Sequence, residues 1–293
     1  MERELLHLRL WDEFTAPEAK AVAETLGKFL SPWQFEGIEE HSCGNQHRHV
    51  AFFRWHSGER FALIPGTEIQ LGHDQARPLG AVLQERQDWV ATTDIPTPPE
   101  DEDFASDKER DAYYELTSWC DFFHNLAKLP SPRKVVLGPY LIEATPRKCS
   151  EFGAITFADL AINVTAEGLR LPTSDEWEYA CGGGSQTIWR WGDYCPEYCH
   201  EDQGDDLIHY QRNAFGLSYH GHLAELVAEP GIRRNTDGGV ALCGGEGFPS
   251  GWLSLATANV RDYYARGWEK PDSKLSEWLR FRRAFKIADA MLD

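Results

Sequence analysis

No stretch of this chain approaches the roughly 20 consecutive apolar residues that a helix needs to cross a bilayer, and the opening Met1-Glu2-Arg3-Glu4 has none of the charge and apolar order of a secretory leader. Basic residues are scarce: 29 Lys and Arg face 47 Asp and Glu, a formal charge of -18. A phosphate backbone or an anionic lipid surface is repelled by such a balance, so neither nucleic acid nor membrane is an expected partner. The one dense basic cluster runs from Arg280 to Lys286. Cysteine is sparse too, seven residues with no regular spacing, which suits reduced thiols and a cytoplasmic protein better than a disulfide scaffold. No internal repeat is present.

What is there suffices for a sizeable core: 293 residues, 42% of them hydrophobic, predict about two domains. Leu5 to Leu10 alternates like a strand, Ala16 to Leu30 has helical periodicity with Pro17 near its start, and Trp33 to Glu40 and His49 to His56 read as two more strands. These make a βαββ extension over residues 1–58, either a separate domain or an elaboration of the main body at 59–293. Thr97 to Asp111 is Pro-rich and then acidic, a solvated loop, and Ala112 to Leu126 follows as a helix.

The strongest local signal lies at Leu169-Arg170-Leu171-Pro172-Thr173-Ser174-Asp175-Glu176-Trp177-Glu178-Tyr179-Ala180-Cys181-Gly182-Gly183-Gly184. Thr173 and Glu176 form a T-x-x-E capping box, Trp177, Ala180 and Cys181 share one helical face, and the glycines end the helix. Trp189-Arg190-Trp191-Gly192-Asp193 and Asn213-Ala214-Phe215-Gly216-Leu217 follow.

In order and spacing these segments resemble the formylglycine-generating enzymes, or sulfatase-modifying factors. Arg60 to Thr67 with Gly72 is similar to that family's opening strand pair, and Val135 to Ile142 to its next strand; the resemblance covers roughly residues 60 to 288. It implies an α+β, loop-rich fold of the C-type-lectin-like kind, with residues 185–275 largely irregular.

The resemblance fails where the family's chemistry resides. Its two copper-binding cysteines, five residues apart, correspond here to Pro249 and Ser254, and a serine of the preceding G-G-S to Glu246. Proline cannot ligate a metal and a hydroxyl is a poor substitute for a thiolate, so copper-dependent formylglycine formation is not expected. The closing motif also departs, reading Trp278-Leu279-Arg280-Phe281-Arg282 without the family's asparagine. Related sulfoxide synthases take iron from a histidine set that includes an H-x-x-x-H-x-E, which this chain lacks.

Four other groups have ligand chemistry set against a plainer role. His41, Cys43, His47 and His49 share a face, and suit zinc, only if the intervening hairpin loop has three residues; a two-residue loop divides them between faces. His220, His222 and Glu225 either meet a metal or satisfy loop backbone groups. Asp202, Asp205 and Asp206, after Cys195, Cys199 and His200, are an oxygen-rich group suited to calcium or a solvated acidic loop. Cys243 is either a small buried residue or a reactive thiol. The expected function is a binding module for a peptide, small ligand or protein, with a cleft at Trp189, Trp191, Glu246, Trp252 and Arg261. The alternative is a metal- or oxygen-dependent oxidoreductase with a rearranged site using Cys243, Glu246 or the His220/His222 pair.

Overall fold

A computed structural model describes residues 3–94, 104–195, 212–218, 224–235, 248–262 and 273–287, to which the structural statements below refer. The fold is α+β. Six helices are described: α1 (Leu8–Trp11), α2 (Ala16–Phe29), α3 (Ala81–Thr92), α4 (Asp107–Leu126), α5 (Phe157–Ala166) and α6 (Ser174–Cys181). The main sheet is antiparallel throughout, in the order β1-β2-β3-β6-β12, from β1 (Gln34–Cys43), β2 (Gln46–Arg54), β3 (Arg60–Ile64), β6 (Tyr140–Glu143) and β12 (Ala284–Lys286). Beside it β4 (Thr67–Leu71) pairs with β5 (Arg133–Leu137), so β3 and β4 lie in different sheets rather than forming a pair of their own.

Short strands form the remaining sheet, in the order β10-β9-β8-β11-β7: β7 (Arg147–Lys148), β8 (Glu225–Leu226), β9 (Ile232–Arg234), β10 (Arg261–Asp262) and β11 (Arg280–Phe281). The pairing of β8 with β11 is parallel.

The main sheet is a wall between two cores. Phe52, Ala62, Ile64 and Ile142 face one, with Trp119 and Phe122 of α4 and Trp177 of α6; Phe53, Phe61, Leu63 and Leu141 face the other, with Ala19, Ala23 and Leu26 of α2 and Leu160 of α5. Burial on both faces explains why these strands read as continuous apolar runs rather than as alternation. Since β2 pairs with β3 from Phe52↔Ala62 to Arg54↔Arg60, residues 34–54 extend this same sheet.

Several sequence expectations are corrected. Leu5 to Leu10 is not a strand: a 3-10 turn (Arg3–Leu6) leads into α1, with Leu6 and Trp11 as the buried positions and the His7 ring accepting from Arg9 N at 3.3 Å. The 1–58 unit is therefore ααββ rather than βαββ. Asp107 to Asp111 is the first turn of α4, because Ser106 Oγ accepts from Glu109 N and acidic groups suit a helix N-terminus. The run from Val135 is divided into β5 and β6 by Gly138-Pro139. The Arg280–Lys286 cluster is no surface patch: Arg282 and Arg283 are fully buried in ion pairs with Glu225 and Glu143. No described helix is long and apolar enough to cross a membrane, and Cys43, Cys120, Cys149, Cys181 and Cys195 are free thiols.

Candidate functional site

Helix α6 organises the region. Thr173 Oγ1 accepts from Glu176 N at 3.2 Å and Glu176 Oε2 from Thr173 N at 2.8 Å, the reciprocal cap that the T-x-x-E spacing predicts. Arg170 then clamps the Glu176 carboxylate with two bonds of 2.6 Å. On the buried face, Trp177 donates Nε1–H to Glu225 Oε2 at 3.0 Å, and Arg282 holds the same carboxylate through Nε at 2.7 Å and Nη2 at 3.0 Å.

Glu178, one residue further on, is 4% exposed and accepts from Gly72 N, Arg133 Nη2 and Arg234 Nη2 at 2.6 to 2.8 Å. A buried carboxylate is tolerable only with such partners. It ties α6 to the ends of β4, β5 and β9.

The helix stops as its glycines require. Gly183 N and Gly184 N return to the carbonyls of Ala180 and Tyr179, and both glycines have φ near +70°, where a side chain is strained. Asn213 locks this end. Fully buried, it donates from Nδ2 to the Ala180 and Cys181 carbonyls at 2.7 and 3.0 Å, while its Oδ1 accepts from Phe215 N and Leu217 N, each at 3.0 Å. Gly216 completes the turn at φ +70°; a Cβ there would lie 2.5 Å from the Phe52 ring.

The tryptophan loop packs beside this frame. Trp189 and Trp191 stack with ring planes 5° apart, Trp252 stands edge-on to Trp191, and Trp189 Nε1 donates to Trp252 O at 2.7 Å. Trp189 and Trp252 are 0 and 2% exposed, and Trp191 keeps 9%. The structure thus brings the three tryptophans of the expected cleft together, packed on one another. Arg261 lies in β10, in register with Arg233 of β9. Glu246 lies outside the described residues.

Pro249 precedes a 3-10 turn (Ser250–Leu255). Inside that turn Ser254 is 3% exposed and donates its hydroxyl to Gly251 O at 2.8 Å. No thiol stands at either position.

The other candidate ligands separate similarly. The β1–β2 loop has two residues, Gly44 and Asn45, which pairs Cys43 with Gln46, His41 with Arg48 and Ser42 with His47. Partners in register share a face, so His41 and Cys43 point opposite to His47 and His49, and the four-residue zinc cluster does not form. Burial lowers the His41 pKa, and the hydrogen bond of its ring to the Glu39 carboxylate opposes that shift. The Glu225 carboxylate is engaged by Arg282 and Trp177; His220 and His222 lie outside the described residues, together with Cys199, His200, Asp202, Asp205, Asp206 and Cys243. Among the described residues no group of three or more His, Cys, Asp and Glu is arranged around a common metal position.

Arg48 and Gly44 carry structural roles that the sequence reading missed. Arg48 donates to Gly183 O, pairs with Asp12 at 2.8 Å and lies 4.5 Å above the Phe215 ring, while a Cβ at Gly44 would meet Trp191 O at 2.8 Å. The hairpin tip is thereby seated on the α6 and tryptophan loops. A glycine at a hairpin turn was the available sequence signal; the arginine's partners are too distant in sequence to read. No protein-family model matches this chain, and no curated protein matches it either.

Proposed function

We propose that the chain is a divergent formylglycine-generating-enzyme-like protein, with that family's C-type-lectin-like fold, which has lost copper-dependent formylglycine formation and serves as a binding module for a peptide, small ligand or protein partner. The capped α6 with its glycine stop, and the Asn213 lock, give physical reasons for two of the three motifs on which the resemblance rests. The observation that carries the functional reading is Ser254. Its hydroxyl is buried and spent on Gly251 O, and Pro249 has no ligating atom, so the positions matched to the copper cysteines supply no soft donor.

Quantifying copper, iron and zinc in the purified full-length protein tests the reading. A binding module carries none of the redox metals in stoichiometric amount. About one equivalent of copper or iron per chain would favour the oxidoreductase alternative.

A further inference from the structure

A cavity of about 510 Å³ opens between the β5–β6 corner, α5 and the Arg170–Thr173 segment. That volume is within the range of small-molecule sites. Its walls are apolar: Val136 and Pro139 from the corner, Phe157 and Ala161 from α5, and Leu171. Val136 is 73% exposed, too much for an ordinary core residue but suited to the lip of a pocket.

The charges at this cavity are unequal. Arg170 and Glu176 both line it, but they neutralise each other through the two bonds of 2.6 Å. Lys286 also lines it, opposite Tyr140 in the β12–β6 register, and its ammonium makes no hydrogen bond or ion pair with any described residue. Among the described residues, then, one cation without an acidic partner stands beside an apolar hollow, in a chain whose overall charge is -18.

We propose that this cavity binds an amphipathic monocarboxylate, its carboxylate on Lys286 and its hydrocarbon body against Phe157, Leu171 and Pro139. A single charge is what the rim accommodates, because among the described residues Lys286 is the one lining cation whose charge is not already taken up by a lining carboxylate. The apolar body supplies most of the affinity, and the ion pair, being exposed, mainly sets orientation and selects an acid over an alcohol.

The test is equilibrium binding of octanoate to the full chain, followed by ligand-observed NMR at concentrations up to about 1 mM. Octanol and acetate, which hold only the tail or only the charge, are expected to bind at least about fivefold more weakly, and comparison with phenylbutyrate tells an alkyl from an aryl preference. Lys286→Glu and Val136→Asp, both at exposed positions, are each expected to weaken octanoate about tenfold with an unchanged melting temperature. Absence of saturable octanoate binding, octanol matching octanoate, or binding that survives either substitution overturns the proposal.

Discussion

At the scale of single residues, Trp177 joins packing to polar satisfaction. Its indole is 1% exposed, and its N–H helps Arg282 hold the buried Glu225 carboxylate. Trp177→Ala creates a large cavity and removes a donor from that carboxylate, and is expected to cost about 3 to 5 kcal/mol in urea unfolding. Trp177→Phe, which keeps most of the volume, should cost clearly less. Equal losses would show that the hydrogen bond, not the packing, dominates. The buried arginines teach the opposite lesson to their sequence appearance: three within four residues read as a basic surface, yet each of Arg282 and Arg283 neutralises an acid from another element.

At the scale of elements, local chemistry was legible where it was self-contained. The T-x-x-E box, the glycine stop and the α2 and α4 periodicities could be read directly because caps and stripes are made by neighbours in sequence. The Leu5–Leu10 alternation misled because burial there is set by a 3-10 turn resting against the main body, where His7 bridges to Gly66. Helix α3 escaped notice because only Leu83 is fully buried on it. The tryptophans of the expected cleft are a related case: sequence shows that they cluster, not whether they pack on each other or on a ligand. Removing the cap tests the part that was readable. Thr173→Ala should destabilise by about 1 kcal/mol, and the Thr156→Ala change at the equivalent box of α5 by a similar amount, both read from denaturant midpoints.

At the scale of the whole molecule, pH reports on the buried His73 and the half-buried His41. Burial lowers the pKa of both His41 and His73 below the ordinary 6.5, so the unfolded chain takes up protons first as pH falls through that value. Their contribution is fully present above 6.5 and lost toward the lower folded pKa. Glu39, held below its usual range by a hydrogen bond from Arg60, adds a further loss at more acid pH, whereas Glu143, raised by burial against the pull of Arg283, acts in the reverse sense near 4.5. The urea midpoint should therefore be lower at about pH 5.5 than at about pH 7.5; an unchanged or higher midpoint would mean that the two histidines are not buried as described.

The proposed loss of copper chemistry, on which the functional reading turns, has its own direct measurement. A peptide containing C-x-P-x-R is incubated with the purified full-length protein, copper and oxygen, and its mass is followed. With Pro249 and a buried, internally bonded Ser254 at the two positions matched to the copper cysteines, those positions offer no thiolate pair to hold copper or exchange with the peptide. The peptide should keep its cysteine; replacement of that thiol by an aldehyde, beyond a no-protein control, would contradict the account.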